Sequence, residues 1–155
     1  MEIKWIQDAD IKREIAAHIL SLLPEWFGIS ESTAEYIRES AYMPFIALME
    51  ANTPIGFLSI KRTSPAAAEI YAMGIDPAHH RCGGGRLLMA ACKQWCRSQG
   101  FSYLQVKTLD GSHPDPHYRH TRCFYAAMGF QPLECLSALW GEQSPCLLMV
   151  QYLDV

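Results

Sequence analysis

The residues best suited to chemistry in this 155-residue chain lie between Glu69 and Phe130. Gly83-Gly84-Gly85 open an amphipathic run and are flanked by Arg81 and Arg86. A glycine costs a helix about 1 kcal/mol against alanine, so three at a helix start point to a close approach of backbone to something. The N–H groups of a helix N-terminus lack intrahelical partners and carry a partial positive charge, which suits a phosphate. For the glycines taken alone, a flexible turn between strand and helix stays open. A P-loop is excluded, because Arg86 and Leu87 stand where lysine and Ser/Thr would be needed. A dinucleotide-binding unit is excluded by the glycine spacing and the missing downstream acidic strand end. His113, His117 and His120 are spaced to bring two imidazoles onto one helical turn, yet no pattern of a structural zinc site accompanies them, and no metal is expected. Pro114 and Pro116 make that stretch a rigid loop bordering a site.

These residues need elements to hold them. Lys4 to Gln7 reads as a short strand, and Asp8 or Asp10 can cap a helix in which Ile11, Ile15, Ile19, Leu22 and Leu23 recur at helical spacing until Pro24. A second helix is expected from Ser32 to Ser40. The aromatic segment between the two, Pro24 to Gly28, is either a core plug or a pocket wall. Pro44 to Ala51 and Ile55 to Lys61, separated by Asn52-Thr53-Pro54, read as a hairpin. A third strand, Ala68 to Ile75, ends at Asp76-Pro77. The glycine-led helix then carries an apolar stripe through Leu88, Cys92, Trp95 and Cys96 and stops at Gly100. A strand from Tyr103 to Thr108, a polar loop from Asp110 to Pro116, a helix from about Arg119 to Met128, a strand from Phe130 and a last strand from Cys146 to Leu153 complete the chain. A meander followed by alternation of strand and helix predicts an α/β (α+β) fold with a mixed sheet and helices on its faces.

Half of the residues are apolar, enough for the core of one domain spanning 1–155. A formal charge of -3 gives no broad basic field, so no nucleic acid and no membrane surface is expected as a partner. No apolar run approaches the roughly 18 residues of a membrane span, and Met1 to Asp10 lacks the features of a signal peptide, which predicts a cytoplasmic protein. The six cysteines have no close pairing and read as free thiols, with Cys92 and Cys96 packed in the core.

His80-Arg81-Cys82-Gly83-Gly84-Gly85 resembles the Gln/Arg-x-x-Gly-x-Gly/Ala pyrophosphate loop of the GNAT superfamily of acyl-CoA-dependent N-acetyltransferases. Both glycine positions match, and His80 departs from the usual Gln or Arg. Arg122-Cys123-Phe124-Tyr125-Ala126-Ala127-Met128-Gly129-Phe130 resembles a second signature of that family, R-x-F/L-Y-x-x-x-G-F. The resemblance covers Pro44 to Phe130 with specific motifs. It implies a mixed, mostly antiparallel sheet of six to seven strands flanked by about four helices, with acetyl-CoA as co-substrate and no metal. It further implies that backbone N–H groups from about Cys82 to Leu87 hold the pyrophosphate, with Arg81 able to stand in for the first motif position. The strand from Glu69 through Met73, Gly74 and Ile75 would lie along the pantetheine arm. From Glu69 to Gly74 a strand spans about 16 Å, on the order of that arm extended. Tyr118, seven residues before Tyr125, occupies a position where relatives place a cofactor-binding asparagine.

Acetylating an amine requires loss of a proton from a group with pKa near 10.4, polarisation of the thioester carbonyl, and stabilisation of a leaving thiolate. By family resemblance, Glu69 is the candidate base, acting directly or through water, and Tyr125 the proton or hydrogen-bond donor to the thiolate. Read on its own, Glu69 is equally a solvated carboxylate at a strand start and Tyr125 a core tyrosine. A backbone N–H near Met73 is the expected oxyanion donor. The resemblance places the acceptor pocket between the first two helices and the late strands, with Trp26, Phe27, Tyr36, Tyr71 and Trp140 as lining candidates; core filling is the ordinary alternative for these aromatics. The expected activity is direct acetyl transfer to a primary amine of a small molecule or peptide. A non-catalytic acyl-CoA sensor is the competing reading, and a homodimer is possible.

Overall fold

The computed structural model describes residues 1–154. The chain runs β1 (Glu2–Ile6), α1 (Ala9–Ser21), α2 (Ser30–Ser40), β2 (Phe45–Glu50), β3 (Thr53–Arg62) and β4 (Ala67–Ile75). After a single 3-10 turn (Pro77–His79) come α3 (Gly84–Ser98), β5 (Tyr103–Leu109), α4 (Pro116–Ala127), β6 (Gln131–Leu136) and β7 (Cys146–Tyr152). The strands form one sheet in the order β1-β2-β3-β4-β5-β7-β6. Every neighbouring pair is antiparallel except β4 with β5. This is the mixed, mostly antiparallel sheet flanked by four helices that the sequence predicts.

Side chains alternate across the sheet and feed two cores. One face, with Leu48, Leu58, Ile70 and Val106, packs against Leu88, Cys92 and Cys96 of α3 and Tyr125 of α4. The other, with Phe45, Phe57 and Ala72, packs against Ile15, Ile19 and Leu20 of α1. Phe45 and Phe57 stack with ring centroids 5.2 Å apart. Cys92 and Cys96 are fully buried, and all six cysteines are unpaired. No helix among the described residues is long and apolar enough to cross a membrane.

Several boundaries differ from the sequence reading by one to three residues, and two of them have a clear local cause. The hairpin turn falls on Ala51 and Asn52, both at positive φ (48° and 66°), while Thr53 and Pro54 already belong to β3. Two central residues with φ above zero match the turn to the twist of the flanking strands. Helix α2 begins at Ser30 rather than Ser32, without a side-chain cap. Helix α4 starts at Pro116, not Arg119, because the Asp115 carboxylate accepts the His117 N–H at 2.8 Å and proline is tolerated at the first helical position.

Candidate active site

The cleft originates in a defect of the sheet. β4 and β5 pair only from Ala67–Tyr103 to Ile70–Val106. Beyond that point β4 stays bonded to β3 as far as Ile75, and β5 stays bonded to β7 as far as Leu109. At the parting, the β3–β4 register steps from Ser59–Ala72 to Ile60–Ile70 and leaves Tyr71 without a partner. Such a bulge bends the strand that carries it, here away from β5. The Asp76 N–H donates to Ile55 O of β3 at 2.8 Å. Backbone polar groups alternate in direction along a strand, so those of Met73 and Ile75 face the gap. The Ile75 carbonyl accepts a hydrogen bond from His80 Nε2 at 2.7 Å. A carbonyl can only accept, so His80 carries a proton on Nε2. His80 therefore staples the glycine loop to the end of β4.

Each of the three glycines has its own physical cause. Gly83 is the N-cap of α3 with φ 86° and no side-chain cap, and Arg81 before it also has a positive φ, 62°. A Cβ on Gly84 would lie 2.5 Å from Leu48 Cδ2, and one on Gly85 would lie 2.8 Å from Phe124 Cε1. Gly84 thus lets α3 settle on the sheet, and Gly85 lets it meet α4. Within the described residues, nothing accepts a hydrogen bond from the N–H groups of Cys82 to Arg86. The Leu87 N–H is the exception to the sequence expectation: it donates to Gly83 O at 3.2 Å as the first bond of the helix, and so is not free for a phosphate. Alternating left-handed residues turn successive N–H groups to one side, a concavity suited to anions. Arg81 and Arg86 line the same opening, whereas the Cys82 and Leu87 side chains do not.

The opposite wall is α4. Tyr125 is buried at 8% exposure, reaches the cleft, and packs its ring on Phe124 and Phe130 at 5.6 Å each. Burial pushes its phenol well above the ordinary range, with Tyr118 and Tyr36 adding to the shift. Tyr118 is pushed up to about 12, mainly by burial, and its hydroxyl donates to Trp26 O at 2.5 Å. Trp26 Nε1 returns a bond to Thr121 Oγ1 at 3.0 Å. The segment after α1 is thereby fastened to the first turns of α4, and the Trp26 ring lies 4.8 Å from His117 and 6.0 Å from His80.

Met73, Ile75, the three glycines, Tyr118 and Tyr125, with Gly74 at the close approach of α1 to β4, border one cleft of about 690 Å³. Its other half is aromatic. Tyr36 on α2 stands 5.8 Å from Phe27 and 5.2 Å from Tyr71, both edge-on, and Trp140 from the β6–β7 loop completes the mouth. Burial raises the Tyr71 phenol to about 12, helped by Glu35 and Glu39 nearby, and raises Tyr36 as well. The five aromatics singled out from the sequence are therefore brought together. Glu69 is placed differently. It is 5% exposed and does not border the cleft, and its Oε1 accepts Lys107 Nζ at 2.8 Å and Gln105 Nε2 at 3.3 Å. Lys107, which does border the cleft, was not visible as a site residue in the sequence, nor was Thr108, whose Oγ1 is buried without a partner in the described residues. Of the three spaced histidines, His117 and His120 border the cleft and His113 does not.

The model of the Acetyltransferase (GNAT) family matches residues 13–130. Among solved structures, an aminoglycoside 6'-N-acetyltransferase complexed with coenzyme A is 17% identical with TM-score 0.77, over 100% of this chain and 98% of that one. The aminoglycoside 6'-N-acetyltransferase from Enterococcus faecium is 16% identical with TM-score 0.76, over 100% and 98%. The ribosomal-protein-S18-alanine N-acetyltransferase from Escherichia coli is 15% identical with TM-score 0.74, over 99% and 94%. At such identities the likeness is one of fold. No curated protein matches the chain in sequence.

Proposed function

The chain belongs to the GNAT acetyltransferase family, and from that premise we propose that it moves the acetyl group of acetyl-CoA to a primary amine of a small molecule or peptide by direct attack. One observation carries this reading: β4 leaves β5 at Tyr71 and opens a backbone edge, the unpaired N-terminus of α3 and the Tyr125 phenol onto a single cleft. The free N–H groups of Cys82 to Arg86, with Arg81 and Arg86, offer a seat for the diphosphate. The outward C=O of Met73 and N–H of Ile75 fit an amide-bearing arm lying along β4 as an added strand would.

In the reaction the amine nitrogen attacks the thioester carbon, a C–N bond forms, the C–S bond breaks, and the amine proton leaves. The proposed oxyanion donor is the Met73 N–H, which faces the gap between β4 and β5. Tyr125 donates a hydrogen bond to the departing thiolate. With its phenol raised above 10 and a thiol near 8.5, complete proton transfer is uphill by more than about 2 kcal/mol, so hydrogen bonding is the assigned role. Glu69 stands behind Lys107 rather than in the cleft, which favours proton removal through water over direct contact. That same placement supports a second reading, an acyl-CoA sensor without turnover.

Coenzyme A release, followed with a thiol reagent across a panel of amines, separates the two. Release with at least one amine supports transfer. A thermal shift with acetyl-CoA and no release with any amine supports the sensor, and no shift with acetyl-CoA overturns both. The cytoplasmic location expected from the sequence is tested by fractionation of expressing cells. Size-exclusion chromatography with light scattering tests the homodimer.

A further inference from the structure

We infer that the acceptor is an amine with a single positive charge on an apolar or aromatic body, and not a polycation. This rests on the acetyl-transfer reading and assigns the acceptor half of the same cleft. The full-charge side chains bordering the cleft are Arg81, Arg86 and Lys107, all cationic. Arg81 and Arg86 stand at the diphosphate end, and the sign suits that ligand. At the acceptor end no carboxylate borders the cleft: Glu69 lies outside its lining, with Oε1 accepting Lys107 Nζ at 2.8 Å and Gln105 Nε2 at 3.3 Å. A second or third ammonium drawn into this space would be desolvated beside Lys107 with no carboxylate in the lining to pair with.

The rest of the acceptor half consists of ring faces and edges. Phe27, Tyr36 and Tyr71 meet edge-on within 5.8 Å, and Trp140 lines the same cleft. Such a wall gains from a flat or apolar body through burial and stacking, and from one cation through the ring quadrupoles. On α2, outside the cleft lining, Glu39 is paired with Arg38 at 3.7 Å, which leaves Glu35, adjacent to Tyr36, to draw one ammonium to the entrance. Attraction at the rim and aromatic faces inside select a monoamine that enters charged end first. The similar folds named above that act on aminoglycosides would then differ from this chain in acceptor class.

The test compares 2-phenylethylamine with kanamycin and spermidine, by coenzyme A release and by calorimetric titration into the protein saturated with coenzyme A. The expected kcat/KM for 2-phenylethylamine exceeds that for either polycation by at least about tenfold, and Tyr36→Leu and Tyr71→Leu each lower it about fivefold with acetyl-CoA affinity unchanged. Higher kcat/KM or tighter binding for kanamycin or spermidine overturns the inference and leaves acetyl transfer standing. Preferential binding of 2-phenylethylamine without release by any amine upholds the assignment of the pocket and overturns the transfer reading. Binding of none of the three overturns the assignment.

Discussion

Tyr125→Phe isolates one hydroxyl. The ring stays packed between Phe124 and Phe130, and no described group shares a hydrogen bond with the phenol oxygen, so stability should change by no more than about 0.5 kcal/mol. A hydrogen bond to a charged group is worth about 1.5–3 kcal/mol, and each 1.36 kcal/mol is tenfold in rate. If the hydroxyl acts only on the developing thiolate, kcat should fall about ten- to 150-fold while KM for acetyl-CoA stays within about twofold. The sign of the pH dependence follows from burial. The folded phenol is raised above its free value, so it remains protonated and able to donate throughout neutral and mildly alkaline pH, and ionises only above that range. The ratio of wild-type to variant kcat should therefore be flat from about pH 6 to 9, below the free phenol value near 10. Steady-state release of coenzyme A at saturating amine measures it. An unchanged kcat, or a ratio that collapses toward one as pH rises to 9, refutes the assignment.

Three further variants test the scaffold. Lys107→Met strands the buried Glu69 carboxylate with Gln105 alone; since the Lys107 side chain is 28% exposed, the loss is discounted to about 2 kcal/mol, or 4–8 °C in Tm, and Glu69→Gln added to it should restore most of that. Calorimetric melting checks this, and a Tm within 1 °C of wild type in the single variant would remove the pair from the stability of the cleft, on the scale of about 2–4 °C per kcal/mol. Gly84→Ala pushes a methyl against fully buried Leu48, an overpacking cost of about 1–3 kcal/mol read by urea denaturation; an unchanged midpoint contradicts the close approach. Thr108→Val removes an unpartnered buried hydroxyl, and should raise the Tm of the ligand-free protein by about 2–4 °C; a fall of that size would mean the hydroxyl is satisfied in solution.

What the sequence made legible follows from the range of each interaction. Helix and strand identities depend on pattern within one segment, and each of the seven strands and four helices in the described residues overlaps a segment the sequence marks as such. The glycine corner was visible as a backbone device, but not its causes, because Leu48 and Phe124 reach Gly84 and Gly85 from β2 and α4. The cleft itself was hidden for the same reason. Tyr71 becomes a bulge only through its register with Ser59 and Ile60, and no property of the run Glu69 to Ile75 announces that one residue will go unpaired.

Glu69 is the sharpest case. Its resemblance to the family's catalytic glutamate marks it as a candidate base, yet its surroundings are decided by Lys107, 38 residues onward. Parallel pairing sets Glu69 opposite Gln105, and alternation returns Lys107 to the same face, one step into the region where the strands have parted. The register that opens the cleft thus also supplies the cation that occupies the carboxylate. A base held in this way reaches an amine only through water or through movement of Lys107. Replacing Lys107 should therefore alter the pH dependence of turnover as well as stability, whereas a purely structural pair would alter stability alone.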